Sequence, residues 1–340
     1  MISSLLFVST YWFGQTDKMP GAVRFRKILG GESGGAVLDV GAAGSFDAVW
    51  ATCPSVLFDG KRYRMWYSSF YESDVGKGGI GYATSEDGTH WMRGNRGQPV
   101  LETGPPGRFD DGQVVGPQVL YEKGIYRMWY TGMSLHWYSS AIGYYRIGLA
   151  TSRDGIHWVR SFQGKAVLDV GPAGSYDEVQ AATPSILRDK TGYRMWYAAW
   201  APHSGHTICT ATSADGIRWR REEGGSPVQG LLPGGAYGPA VLRFGSRYLL
   251  LYMRIATDPR GLYAATSQDG RHWIALGLAP AIAPGREPAF DSALAGHGNF
   301  LRVGSRVMVF YTGYRSEPGG VDGWKLRIGA ASLDLGTSAE

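Results

Sequence analysis

Short apolar runs with period two recur along the chain, and most are closed by Asp-Gly or another Gly-containing turn. Alternation turns one face of each run towards a core, and Asp-Gly supplies the positive-φ positions of a tight hairpin, so the runs predict antiparallel strands. Ser55-Val-Leu-Phe58 is followed by Asp59-Gly60 and then by Tyr63-Arg-Met-Trp-Tyr67. Ile80-Gly-Tyr-Ala-Thr84 is followed by Asp87-Gly88 and a last short strand around Trp91. That is one unit of four strands.

The unit repeats. Tyr-Arg-Met-Trp-Tyr stands at 63–67, 126–130 and 193–197, with degenerate copies at Tyr248-Leu-Leu-Leu-Tyr252 and Val307-Met-Val-Phe-Tyr311. Ala-Thr-Ser-x-Asp-Gly-x-x-Trp ends at Trp91, Trp158, Trp219 and Trp273, and survives in the fifth copy as Ala330-Ala-Ser-Leu-Asp334. An aromatic-Asp pair precedes four of the copies, at Phe46-Asp47, Phe109-Asp110, Tyr176-Asp177 and Phe290-Asp291, and an apolar strand follows, usually from a Pro. Five copies of four short strands predict an all-β fold, a five-bladed β-propeller forming one domain over 1–340. The blades fall at 40–100, 101–168, 169–228, 229–282 and 283–335. The fifth copy lacks its last strand, and 22–27, within an N-terminal strand region 20–39, resembles one. The N-terminal strand is therefore expected to complete the last blade and close the ring.

Composition agrees with a β protein of many turns: the chain has 51 Gly, 20 Tyr and 12 Trp. The net charge of +5 is spread through turns and strand ends without a Lys/Arg-rich run, which argues against a nucleic-acid partner. No apolar run reaches the length of a membrane span, so no membrane partner is expected. Residues 1–13 are apolar but lack a basic segment and a cleavage site, and read as a strand and not a signal peptide. Two cysteines make no disulfide framework. A cytoplasmic protein, monomeric or weakly oligomeric, is expected.

Hairpins with stereotyped Asp-Gly turns occupy one face of such a ring. The other face carries unlike loops, at 68–79, 131–146, 198–207, 254–261 and 312–325, and unlike loops on a rigid scaffold are the usual seat of function. They bring Tyr71, Glu72, His136, Trp137, Tyr138, Trp200, His203, His206, Arg254, Tyr314 and Arg315 to one surface, and one of the three His could act as a base near neutral pH.

Pro-Ser-Val-Leu-x-Asp-Gly-x-x-Tyr-Arg-Met-Trp-Tyr-Ser at 54–68, the Ser-x-Asp-Gly-x-x-Trp turns and Ala295-Gly-His-Gly-Asn-Phe300 resemble the five-bladed propeller glycosidases, which include glycoside hydrolase families 32, 43, 62, 68, 117 and 130. The resemblance covers about 40–335. It implies a carbohydrate-active enzyme that cleaves a glycosidic bond by acid/base catalysis at the mouth of a central channel, with a sugar or glycoside as substrate. In family 43 the base is an Asp just before the first Pro of blade one, and Cys53 matches it. The acids of blades two and three match Gly116 and Ala182. All three expected carboxylates are absent from their registers.

Comparison among the copies supplies other candidates. Asp47, Asp110, Asp177 and Asp291 share a register, which suits a connector cap, although Asp47 is also a catalytic candidate. One position on, Asp111 and Glu178 are specific to their blades and form the best acid/base pair. Trp50, Gln113 and Gln180 share a register at the channel mouth, and Tyr237 lies nearby in copy four. His297 resembles the channel-facing His of family 43: it is a metal ligand, a substrate contact, a catalytic group or a satisfied channel lining. No cofactor is required, and a calcium or other ion in the channel is compatible. Cys53 reads first as a small core residue. Two further readings stand beside the glycosidase: a repurposed propeller enzyme acting on a non-sugar molecule of secondary metabolism, and a non-catalytic sugar-binding propeller.

Overall fold

The computed structural model describes residues 23–71, 74–134, 144–256, 260–315 and 325–334. They form short antiparallel strands joined by turns and single 3₁₀ turns. After β1 (Arg24–Ile28), the first sheet holds β2 (Thr52–Phe58), β3 (Tyr63–Tyr71), β4 (Asp74–Ser85) and β5 (Met92–Arg93). The second holds β6 (Gln113–Glu122), β7 (Ile125–Met133), β8 (Tyr145–Ser152) and β9 (Val159–Arg160). The third holds β10 (Gln180–Arg188), β11 (Tyr193–Ala201), β12 (Gly205–Ser213) and β13 (Arg220–Arg221), joined to the second only through a parallel pair, Gln180 with Tyr145. The fourth holds β14 (Ala236–Phe244), β15 (Arg247–Arg254), β16 (Leu262–Ser267) and β17 (Trp273–Ala275). The fifth holds β18 (Leu294–Val303), β19 (Arg306–Tyr314) and β20 (Leu326–Asp334), and β1 pairs with β20 as its fourth strand.

The Ser-x-Asp-Gly hairpin turns are built by their own side chains. In the first sheet the Ser85 hydroxyl accepts the Gly88 N–H at 2.8 Å, while Asp87 Oδ1 accepts the N–H groups of Thr89 and His90. The same bonds recur at Asp154, Asp215 and Asp269. Such a turn satisfies backbone donors locally and fixes the register of the strands it joins.

The sheets are tied to one another by buried aromatic rings. Trp66 donates its indole N–H to the Gly155 carbonyl of the next sheet, Trp129 to Gly216, and Trp196 to Gly270. All three indoles are fully buried. In the fifth sheet Phe310 takes the place of the Trp and packs edge-on to Trp91 of the first, at 5.7 Å between centroids. The first strands β2, β6, β10, β14 and β18 each pack against the next, and β18 also packs against β2. Main-chain donors follow the same order: Val56 N–H is accepted by Asn299, Val119 N–H by Ser55 and Val241 N–H by Ser185.

Two of the expected loops are largely strand. Pairing of β3 with β4 continues through Ser69 with Gly79 and Phe70 with Gly78, and pairing of β11 with β12 continues through Trp200 with His206. Small buried residues at Ser68, Ser69, Ala198 and Ala199 let the ladders run on past the recurring motif. No helix among the described residues is long and apolar enough to cross a membrane.

Candidate functional site

The recurring connector carboxylates are buried, and each accepts from a Tyr hydroxyl and a cation. Asp47 accepts hydrogen bonds from the Tyr67 hydroxyl and Arg93 Nε, both at 2.7 Å. Asp110 accepts from Tyr130 and Arg160, and Asp177 from Tyr197 and Arg221. Asp291 accepts from Tyr311 and from Lys27 of β1, which stands where the other sheets place Arg. A glycine opposite the Tyr lets its ring reach the carboxylate: a Cβ on Gly148 would come within 2.5 Å of the Tyr130 ring. In the third sheet Cys209 takes that place; burial pushes its thiol up to about 12. Sheet four lacks the Asp and the Arg together, and its Tyr252 hydroxyl accepts the Leu232 N–H instead. Asp47 thus sits in a buried ion pair that three other sheets repeat.

The blade-specific acids turn back on their own connectors. Asp111 is buried and accepts the Gly107 N–H at 2.7 Å. Glu178 accepts the Gly174 N–H at 2.5 Å, with its other oxygen 3.8 Å from His203 Nδ1. His203 is exposed and lies beside the Tyr176 ring. Arg254 donates twice to the Pro233 carbonyl and lies over the Tyr263 ring, and Arg315 donates to the Pro288 carbonyl. Trp50 and Gln113 are half-buried at the entries of the first two sheets, Trp50 bridged to Leu326 and Gln113 paired with Met133. Glu72, His136, Trp137 and Tyr138 lie outside the described residues.

A different group converges at the inner strands. In every sheet the ladder between the first two strands slips at one bulge, where a residue has left-handed backbone: Cys53, Gly116, Thr183, Gly238 and His297, with φ of 48°, 58°, 44°, 59° and 45°. Only glycine adopts this conformation without strain, and β-branched Thr183 is the costliest of the five. Neighbouring hydroxyls hold the first three in place. Cys53 N–H is accepted by Thr312, Gly116 N–H by Ser68 and Thr183 N–H by Thr131, each at 2.8–2.9 Å. These five positions line one axial cavity of about 30 Å³.

Cys53 and His297 interact across this cavity. Burial raises the Cys53 thiol, but the charge and hydrogen bonding of His297, helped by the Thr52 and Ser68 hydroxyls, outweigh it and hold the thiol below its ordinary value. Burial lowers the His297 imidazole, and the Cys53 sulfur more than reverses this. Each side chain thus shifts the other's proton equilibrium, the thiol downward and the imidazole upward. Glycine at 238 keeps the imidazole's place, since a Cβ there would come within 3.1 Å of His297 Nδ1. The Tyr237 ring stands edge-on to His297 at 5.5 Å and to His206 at 5.2 Å, and Trp200 lies beyond His206 at 6.2 Å. Burial, with Tyr145 and Cys53 nearby, pushes the Tyr237 phenol up against the opposing bond from Gln180, so it stays protonated. Burial lowers the His206 imidazole and leaves it neutral, with a buried Nδ1 that has no partner.

The structure thus brings His297, Tyr237, Gln180, Trp200 and His206 together, and adds Cys53 and Tyr145. Cys53 could have been found from its register, since it stands where the resembled family places a catalytic carboxylate. His206 is one of the loop residues expected on this surface, whereas Tyr145 carried no signal, because its position depends on how far the ladder extends. Among the described residues no three His, Cys, Asp or Glu side chains are grouped to hold a metal ion. The neighbours of His297 are a thiol and a phenol, a donor set unlike the oxygen cage of calcium.

No family model matches the chain. Two curated proteins of Mycobacterium tuberculosis, the uncharacterized proteins MT1551 and Rv1502, are each 32% identical to it over 199 residues, 55% of this chain. The match spans 62% of the length of those relatives. Among solved structures, a thermostable family-43 glycoside hydrolase superposes with a TM-score of 0.63 at 17% identity, covering 91% of this chain and 92% of that one. Zg3597, a family 117 glycoside hydrolase of Zobellia galactanivorans, gives 0.65 at 16%, covering 94% and 92%. An N-acetylgalactosamine deacetylase from F. plautii, in complex with blood group B trisaccharide, gives 0.65 at 15%, covering 91% and 95%. The chain has the β-propeller fold of the glycoside hydrolase-like proteins.

Proposed function

We propose that this protein is a carbohydrate-active enzyme that binds a sugar or glycoside at the axial mouth and acts on it with Cys53 and His297. The observation that carries the reading is the placement of Cys53 and His297 at equivalent bulges lining one cavity, beside the Tyr237 ring. Cys53 stands at a register where the glycosidase resemblance implies a carboxylate. Tyr237 and Trp200 offer ring faces for a sugar, and Gln180 an amide for its hydroxyls. A trisaccharide bound by one protein of the same fold supports a ligand of this class.

We further infer a ring of five blades closed by the N-terminal strand. Contact of β18 with β2, and the Lys27–Asp291 pair at 2.5 Å, support this closure. Two unpaired cysteines suit a cytoplasmic setting.

The test is titration of a panel of monosaccharides and 4-nitrophenyl glycosides into wild-type protein and Tyr237→Ala, read by calorimetry and tryptophan fluorescence. Saturable binding that Tyr237→Ala weakens about tenfold or more, the value of roughly 1.4 kcal/mol, supports the reading. No binding to any member overturns it. Cleavage of a glycoside that survives loss of both Cys53 and His297 would restore an ordinary carboxylate mechanism.

A further inference from the structure

The axial cavity differs from a glycosidase centre in two physical respects. Its side-chain lining is thiol, imidazole, amide and hydroxyl, from Cys53, His297, Gln118, Asn299 and Thr183, with Gly and Pro between, and none of these is a carboxylate. Glycosidic cleavage passes through an oxocarbenium-like state that carboxylates beside the sugar stabilise. A thiol beside an imidazole that can take and return its proton serves the opposite case, in which negative charge grows on a carbonyl oxygen and then on a leaving oxygen. The second respect is size. A cavity of about 30 Å³ holds only one or two water-sized groups. A pyranose ring does not enter it, so an anomeric carbon at the mouth stays away from a sulfur facing the cavity. Only a group of about two or three heavy atoms hanging from that ring, such as a small acyl group, is near the size of this space.

We propose that Cys53 is the nucleophile of an acyl transfer that removes a small ester group, such as acetyl, from a sugar-like substrate, with His297 as its proton carrier. This deepens the reading above and rests on it for the sugar, but not for the ester. His297 takes the Cys53 thiol proton, the Sγ electron pair attacks the ester carbonyl carbon, and a C–S bond forms. The ester C–O bond then breaks, and the imidazolium of His297 gives its proton to the departing sugar oxygen. Water attacks the thioester carbon, His297 takes a proton from that water, the C–S bond breaks, and the carboxylic acid leaves as that proton restores the thiol. No redox partner is needed.

Strained left-handed backbone at both Cys53 and His297 fits this role. A residue with φ near 45° is held against its preference by its surroundings, and here Thr312 grips the Cys53 N–H while Gly238 leaves the imidazole its place. The two reactive side chains are fixed by their backbone at the one level where five sheets meet.

The experiment mixes the full-length protein with 4-nitrophenyl acetate, with a mono-O-acetyl glucose and with glucose itself. Acid-quenched samples go to intact-mass measurement and peptide mapping, and nitrophenolate and acetate release are followed in time. The expected result is one acetyl on the Cys53 peptide, a burst equal to the enzyme present, and acetate from the acetylated sugar. Cys53→Ser, or wild-type protein alkylated at Cys53, loses the burst. Cys209→Ser keeps it. His297→Gln slows acylation by about 10²–10⁴-fold, the usual worth of a positioned proton carrier. Acetyl found only on lysines, or release unchanged by blocking Cys53, overturns the proposal. If glucose or glycosides bind but Cys53 is never acylated, the ester chemistry falls and the sugar reading stands. If nitrophenyl acetate acylates Cys53 but no sugar, acetylated or free, binds, the sugar reading falls and the nucleophile stands.

Discussion

At the connectors the sheets repeat one another, whereas at the axis they differ. Asp47, Asp110, Asp177 and Asp291 each meet a Tyr hydroxyl and a cation, and the sheet without the Asp also lacks the cation. Joint loss is what electrostatics demands, since a buried charge without its partner is costly while losing both is cheap. The five axial bulges share a backbone conformation but carry Cys, Gly, Thr, Gly and His. Shared geometry with unlike side chains is what the proposed site rests on. Repetition within the one chain separates the two roles.

The contrast can be broken most forcefully at Asp177. Asp177→Ala leaves the Tyr197 hydroxyl and Arg221 without their buried acceptor, and an unfolding midpoint in urea should report a loss of about 3–5 kcal/mol. Tyr252→Phe, at the same register in the sheet without the Asp, should cost only about 1 kcal/mol. Equal losses would show that the connectors do not work as pairs. Cys53→Ser should abolish turnover while stability changes by about 1 kcal/mol or less, because Thr312 holds the backbone N–H of residue 53 and not its sulfur. The smallest effects belong to Asp111→Asn and Glu178→Gln. Each weakens one charge-assisted bond to a glycine N–H, so about 1 kcal/mol of stability goes and turnover stays. Loss of turnover in either would return the chemistry to the connector acids.

Much of this architecture could be read before any coordinates. The Asp-Gly turns, the Tyr-Arg-Met-Trp-Tyr strands and the replacement of a missing last strand by the N-terminal segment are local or periodic signals. The β1–β20 pairing, with Lys27 in the place of Arg93, is that replacement made visible. The site was less legible for a physical reason. Asp111 and Glu178 differ between copies as functional residues do, but their carboxylates are within reach of glycine N–H groups four residues back, and local bonding captures them. His206 and Trp200 lie in what sequence marks as a loop, and only the extended β11–β12 ladder puts them beside Tyr237. Cys53 and His297 are far apart in the chain, and their meeting depends on the first and fifth sheets lying side by side.

That meeting is tested most directly by the pH dependence of carboxamidomethylation at the two cysteines, followed by peptide mapping in wild-type protein and His297→Gln. The thiolate is the reacting form, so each rate rises through the thiol's own midpoint. In the wild type Cys53 should react with a midpoint below that of an ordinary thiol, while Cys209, pushed up to about 12 by burial, stays inert at neutral pH. With His297 replaced, burial becomes the dominant influence and the Cys53 midpoint should move upward. A Cys53 profile that matches an ordinary thiol in the wild type, or that does not move in His297→Gln, would contradict the pairing on which the account rests.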